Sequence, residues 1–477
     1  MSRLFLVGAG PMMDGGARRV TAHAHRTWHV ASVLRRASHE IALCTVSQNL
    51  SPLDPRIGLV EPRVKDGLPY ENLDMRMGDV LACLAERCEQ FRPDAVIGVS
   101  TEPASWACRM RPTVPLWADL HGWVMAEAQA KAACDGSDDI LSHFWSHERP
   151  VLRRADKISA VSTPQRFALL GELATVGRLN RCNVEYDLVV TIPSSVDLAA
   201  LEQPRDDGRV AQLVGGRDAF VALWSGGFNT WTDPVTLFEG LERAMAADPA
   251  IHFVATGGAL PGHADGVFEA FHERVNQSAH RSRYHLTGWV PAEEFPAYLG
   301  GSHLAVCVDF PCVETLVGTR TRLLEAMAAG LPVLMTRGTE LSMELERAAV
   351  AWVVPPRDAR ALGEKVLEAA RHRERTAQMG KQASRFVAEQ YSVARTMKPL
   401  VQWAERPCFA PDNAVKRTQS PTIVEGAVSR LEADARVLDD VRDVPAMARA
   451  QQDLERLRSR WPLRLWRQMK KRMKPER

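Results

Sequence analysis

Hydrophobic positions along this chain follow two rhythms in strict alternation. In the first half, short apolar or β-branched runs recur: "LFLVG", "EIALCTV", "DAVIGVS", "VPLWADL", "KISAVS" and "LVVTIP". Between them lie helical patterns such as "TWHVASVLRR" and "MGDVLACLAERCEQF". Continuous apolar runs separated by such patterns predict a parallel sheet covered by helices on both faces. After "LEQPRDDGRVAQLVGGRDA", a polar, Gly- and Pro-containing stretch that reads as a linker, the alternation restarts. Its runs are "FVALWSGG", "IHFVATGG", "RYHLTG", "LAVCVDF", "LPVLMT" and "AWVVPP". The pattern predicts an α/β protein of two doubly wound, Rossmann-like parallel-sheet domains facing a cleft.

In such sheets ligands sit beyond the carboxyl ends of the strands, where loops meet helix starts. That singles out "GAGPMMDGGARR", "ADLHGW", "SGGFNTWTD", "TGGALPGH" and "ETLVGTRTRLLEAMAAGLPVL", all expected to converge on the cleft. In the last stretch, Leu323, Leu324, Met327 and Ala328 recur at helical spacing and Gly330 ends the helix, so its start falls near Gly318 and Thr319. A helix start offers unpaired amide hydrogens and partial positive charge to a phosphate. Arg320 and Arg322 would add cationic donors suited to a diphosphate. Glu325, roughly a turn on, could accept hydrogen bonds from a vicinal diol such as a ribose. The same spacing equally suits a charged helix start with ordinary ion pairs.

Composition adds limits. With 477 residues, 45% hydrophobic and 25% charged, the chain is ordinary globular material, long enough for two domains. Nine scattered cysteines without a CxxC predict a reducing compartment and no structural metal. No unbroken apolar run reaches membrane-spanning length, and the N-terminal run is too short for a signal, so a cytoplasmic location is expected. Net charge is only +2, but from Arg456 onward ten Lys/Arg stand against one Asp/Glu. That segment places Trp461, Leu465, Met469 and Met473 four apart amid basic residues, a pattern that suits an anionic membrane surface. A disordered polybasic tail or a partner-docking helix fits it too. Nucleic acid is disfavoured, since nothing else forms a basic or aromatic reading surface.

Several stretches together resemble glycosyltransferase family 4, the retaining nucleotide-sugar transferases of GT-B fold once called glycosyl transferases group 1. "LLEAMAAGLPVL" looks like the end of the family signature, "PMMDGGARR" like its Pro-x-x-Gly-Gly loop, and "SHEIALCTV" like its second strand. "ADKISAVSTPQRFALL", "IPSSVD", "HLTGWVPAEEFPAYLGGSHLAVCVDF" and "VVPPRDARALGEKV" fit in order, so the resemblance covers about residues 1–405. It implies an acceptor-side domain over 1–205, a nucleotide-sugar-binding domain over 219–390, a crossover helix over 391–410 returning to the first domain, and a linker and basic tail over 411–477. Two departures stand out. Val317 occupies the place of the first signature glutamate, with Glu314 three residues earlier, and "WSGGFNTWTDP" lacks the usual Arg and Lys.

The expected site follows. Arg320, Arg322 and Thr319 would hold the diphosphate in place of the missing basic pair. Gly15, Gly16, Gly226 and Gly227 would let backbone approach the donor closely. Asn229, Thr230 and Trp231 would supply hydrogen bonds and a stacking face, although the same loop reads equally as a turn into a helix capped by Thr232 or Asp233. His121 resembles the histidine that the family places beside the donor sugar; Asp119 would orient it or receive a proton, and Glu314 would reach the sugar. Glu127 reads as a solvated helix residue. The implied activity is a metal-independent, hexosyltransferase-type enzyme without cofactor, the nucleotide sugar being co-substrate. The implied acceptor is a saccharide or lipid-linked hydroxyl in cell-surface polysaccharide or glycolipid synthesis, met at the inner face of the membrane. The competing readings are an inactive scaffold or regulatory subunit of the same shape and a sugar epimerase.

Overall fold

The computed structural model describes residues 1–10, 12, 21–47, 60–75, 79–199, 206–260 and 264–418. Eight strands build the first sheet: β1 (Arg3–Gly10), β2 (Glu40–Ser47), β3 (Val60–Lys65), β4 (Leu68–Asp74), β5 (Ala95–Val99), β6 (Leu116–Leu120), β7 (Lys157–Ala160) and β8 (Val189–Thr191). Their order is β3-β4-β2-β1-β5-β6-β7-β8. Every pairing is parallel except β3 with β4. The second sheet holds β9 (Phe220–Ser225), β10 (Ile251–Thr256), β11 (Tyr284–Leu286), β12 (Leu304–Cys307), β13 (Val333–Thr336) and β14 (Trp352–Val354), all parallel, in the order β11-β10-β9-β12-β13-β14. Chain direction across the sheet reverses between β1 and β5 and again between β9 and β12. These are the two crevices into which loops can project.

Period-2 alternation sends neighbouring residues to opposite faces. Leu4 and Leu6 pack with Val30, Leu34 and Trp117, whereas Phe5 and Val7 pack with Leu84, Leu152 and Leu169. Likewise Val221 and Leu223 meet Leu324 and Met327, and Phe220 and Trp224 meet Leu237 and Phe271. All twelve strands expected from apolar runs are present. The β3–β4 hairpin was missed, because "VEPRVK" is charged, carries Pro62 and lies at a sheet edge where proline is tolerated. Its turn was nevertheless legible: Asp66 and Gly67 both have positive φ, 47° and 76°, as an Asp-Gly hairpin turn requires.

Three expectations change. The stretch read as a linker contains a helix, Arg209–Val214, whose Val210 and Val214 are buried. The helix start placed near Gly318 and Thr319 lies instead at Thr321, because a separate short helix, Val313–Val317, precedes it. Beyond it the run read as a linker after Pro411 opens as a helix, Pro411–Thr418, with Asp412 paired to the buried Arg178 at 2.6 Å. The helix Lys398–Glu405 packs Leu400, Trp403 and Ala404 into the core of the first sheet. Trp403 lies edge-on to Trp117 at 5.3 Å between ring centroids, and Ser2 Oγ donates to the Ala404 carbonyl at 2.7 Å. The basic amphipathic segment from Arg456 lies outside the described residues. Among the described residues no helix is long and apolar enough to cross a membrane.

One buried pair is electrostatically costly. Glu148, on the helix Asp139–Arg154, is wholly buried, and Glu172 stands beside it on the helix Thr163–Thr175. Burial, then the neighbouring Glu172, drives the Glu148 carboxyl well above its usual range, and burial pushes Glu172 up to about 7. Carboxyls with raised folded-state pKa bind protons on folding, so their stability is complete below the unfolded value, about 4.3, and is lost as pH rises through the folded one. In thermal denaturation this pair should therefore subtract stability between pH 5 and pH 8, in the opposite sense to buried imidazoles such as His29 and His147, whose pKa values burial lowers. In Glu148→Gln that loss should be smaller by about 1–3 kcal/mol.

Candidate functional site

The carboxyl ends of both sheets meet across a cleft bridged by polar contacts. Ser162 Oγ donates to the Val317 carbonyl at 2.5 Å, and the Thr163 amide to Glu340 at 2.8 Å. Thr321 Oγ1 donates to Ser194 Oγ at 3.1 Å, and His25 Nδ1 lies 3.5 Å from Glu325 Oε1. A cavity of about 330 Å³ opens further along, where Cys134 faces Thr230, Thr232 and Arg357.

On the first-sheet side, β6 carries Asp119 one residue before its end and delivers His121 to the cleft. Asp119 is 1% exposed, takes 2.8 Å bonds from Arg26 Nε and Nη2, and accepts from Ser159 Oγ at 2.6 Å. A carboxylate so saturated is not free to take a proton from His121, which corrects that part of the expectation. Its influence runs through Arg26, which also donates to the carbonyls of Ile192 and Pro193 and so fixes the loop carrying Ser194. Ser194 Oγ lies 2.8 Å from His121 Nε2. His121 Nδ1 is buried without a hydrogen-bond partner. Burial first, then the Arg26 charge, hold the His121 imidazole well below its usual pKa, so the ring is neutral at pH 7. His121, Ser194 and Thr321 thus form a polar chain from β6 to the first residue of the Thr321–Ala328 helix.

On the second-sheet side the two arginines do different work. Arg320, 4% exposed, donates from Nε to Asp309 at 2.6 Å, from Nη1 and Nη2 to Glu314 at 3.0 and 2.8 Å, and from Nη1 to the Thr319 carbonyl at 2.9 Å. Four of its five N–H groups are committed. This corrects the reading of Arg320 as a diphosphate donor and of Glu314 as a carboxylate free to reach a sugar; Glu314 is itself 5% exposed. Thr319 contributes its carbonyl to that network. Arg322 is different. It reaches from the first turn of the Thr321–Ala328 helix to the β9 loop, donating from Nη1 to the carbonyls of Ser225 and Gly227 at 2.7 and 3.1 Å. Its Nε and Nη2 have no partner among the described residues. Gly226, with φ of 81°, leaves the space that Arg322 lies over at 3.6 Å.

The rest of that loop is mostly structural. A side chain at Gly227 would strike Leu260 at 2.6 Å, so its glycine answers packing. Asn229 donates its amide to Thr232 Oγ1, Asp233 caps the helix Pro234–Ala247 by accepting from the Thr236 amide, and Trp231 lies 5.5 Å from the Arg320 guanidinium. Thr230 is 1% exposed and its hydroxyl has no partner. Glu325 faces His25. Gly15 and Gly16 lie outside the described residues. Sequence reasoning missed Arg26 and His25, which carry no motif of their own, gave Ser194 no role although it stands in "IPSSVD", and set Glu127 aside. Glu127 in fact lies beside Glu314 and Arg320, and burial, then the Glu314 charge, push it up to about 8.

With this geometry in place, the likenesses to known proteins become specific. Residues 219–372 match the family model of glycosyl transferases group 1. No curated protein sequence matches the chain. Among solved structures, sucrose-phosphate synthase from Thermosynechococcus elongatus superposes with a TM-score of 0.62 at 16% identity, over 84% of this chain and 98% of that one. HepE from Anabaena in complex with UDP-glucose gives 0.58 at 14%, over 84% and 99%. Trehalose-6-phosphate from E. coli bound with UDP-2-fluoro glucose gives 0.59 at 10%, over 86% and 100%. The second sheet and its helices are thus a glycosyl transferases group 1 domain, set in a chain of GT-B fold.

Proposed function

We propose that the cleft binds a nucleotide sugar and transfers its sugar to a hydroxyl acceptor, with retention of anomeric configuration and without a metal or other cofactor. The observation that carries this reading is Arg322, whose unpartnered guanidinium nitrogens meet the start of the Thr321–Ala328 helix and the β9 loop. Helix amides and a guanidinium together neutralise the charge that develops on a departing nucleoside diphosphate. Neutral His121, tied through Ser194 to Thr321, stands opposite and offers hydrogen bonds to the sugar. Glu325 would exchange His25 for the ribose diol. Retention and the hexosyl class rest on the likeness to the family. UDP-sugars are the first donors to try, because HepE and the E. coli structure are described with them. A lipid-linked saccharide in cell-surface polysaccharide or glycolipid synthesis is the proposed acceptor. The segment from Arg456 would hold the enzyme at the inner face of an anionic membrane from the cytoplasm.

The second reading, an inactive scaffold, is favoured by Val317 at the signature position and by Arg320 closing on Glu314. Donor hydrolysis separates the two: slow release of nucleoside diphosphate should be seen and should be abolished in His121→Ala, whereas a scaffold releases none in either form. The saturating nucleotide sugar, at about 100 times its dissociation constant, should stabilise the chain by roughly 2.7 kcal/mol in a thermal-shift screen.

The two arginines should divide cleanly. Arg322→Ala should weaken donor binding at least tenfold by calorimetry and, with its two hydrogen bonds to loop carbonyls lost, destabilise the chain by about 1–3 kcal/mol. Arg320→Ala should destabilise by about 3–5 kcal/mol in urea, since it leaves Asp309 and Glu314 buried without their cation.

A further inference from the structure

The cavity of about 330 Å³ lies apart from His121 and Arg322, and both halves of the cleft contribute to its walls. Cys134, at the far end of the helix Val124–Asp135, lines one side and donates its thiol to the Thr230 carbonyl at 3.5 Å. The opposite wall is the loop before the helix Pro234–Ala247, which backbone bonds tie to the end of β12. The Asp233 amide donates to the Val308 carbonyl at 3.0 Å and the Phe310 amide to the Trp231 carbonyl at 3.1 Å. Pro234, Val267 and the half-buried Phe310 supply apolar surface. Thr230 lines the space too, and its buried hydroxyl has no partner. Arg357, exposed and lining the cavity, makes no ion pair or hydrogen bond among the described residues. Carboxylates on the same elements are engaged elsewhere: Asp233 takes both the amide and the hydroxyl of Thr236, Asp358 caps the helix Ala359–Arg371, and Asp135 pairs with Lys131 at 3.2 Å. The Arg357 charge is therefore left for a ligand.

We propose that this cavity is a subsite for an acidic sugar unit, its carboxylate or phosphate paired with the Arg357 guanidinium and its ring laid against Phe310. The proposal rests on the acceptor reading above and narrows that acceptor to an extended, anionic saccharide. A guanidinium meets either anion with two parallel N–H donors. At about 330 Å³ the space lies at the small end of ligand sites, roughly 300–1,000 Å³, which suits one ring rather than a nucleotide. Position gives the length. The helix Val124–Asp135 starts three residues after His121, and Cys134 comes ten residues later, about 15 Å at 1.5 Å per residue. A sugar held at His121 does not fill the cavity as well, so the subsite takes a unit remote from the reacting hydroxyl. Such a contact orients the acceptor without touching the reacting atoms.

The test uses the full chain, with D-glucuronate, glucose 6-phosphate and glucose as probes and ligand-observed NMR as readout. At least one of the two acids should bind about tenfold more tightly than glucose or better. Whichever acid binds more tightly identifies the anion as carboxylate or phosphate, and either supports the subsite. Arg357→Asn, which tolerates the left-handed backbone there, with φ of 61°, should erase the preference. Its melting temperature should stay unchanged, as should its affinity for the nucleotide sugar that gives the largest thermal shift in a panel of UDP-, GDP- and ADP-sugars. Val267→Trp, which fills the space, should weaken all three probes. Acids that bind no better than glucose, or a preference that survives in Arg357→Asn, overturn the subsite while leaving the donor reading intact. Arg357→Asn that weakens the nucleotide sugar as well places the cavity in the donor site and overturns it as an acceptor subsite. A chain that binds the acids through Arg357 but no nucleotide sugar keeps the anion site and overturns the donor reading.

Discussion

The arrangement depends on one buried cation. Arg320 joins Asp309, two residues beyond β12, to Glu314 in the short helix Val313–Val317, and its own backbone caps the next helix. Opposite charges so deeply buried hold only when every partner is present; losing one strands the rest in a medium that solvates them poorly. The geometry therefore breaks what would be one continuous helix into two. It turns the start of the second toward the β9 loop, and Arg322 follows into that loop. Charge missing from the loop's own sequence is supplied from a helix on the adjacent strand connection.

The first sheet uses a comparable device. Arg26, 1% exposed, spans from Asp119 to the carbonyls of Ile192 and Pro193, locking the β6 and β8 ends into one frame. His121 and Ser194 are held in that frame, so the imidazole's position is set by a side chain far from it in sequence. Both halves of the site thus stand on buried arginine–carboxylate pairs. His121, Arg322 and Glu127 stand outside those pairs.

Between the halves, Val196 joins the second core, and polar contacts cross the cleft. Single hydrogen bonds such as Ser162 to Val317 and Thr321 to Ser194 cross the cleft, each contributing about 0.5–1.5 kcal/mol. Interfaces of that kind permit relative motion of the parts they join.

The sequence by itself determined the two doubly wound sheets, since burial on both faces writes continuous apolar runs that local reading recovers. It also narrowed the cap to Thr232 or Asp233, because capping acts over three residues, and the structure places it at Asp233. The Asp-Gly hairpin was equally local and was obscured by its charged edge strand. Tertiary structure alone decided which charges are spent. Arg320 and Arg322 look alike two positions apart, and Asp119 looks as free as Glu127. Their difference lies in partners such as Asp309, Arg26 and Ser159, up to 93 residues away, and side-chain pairing over that separation leaves no periodic trace in the chain.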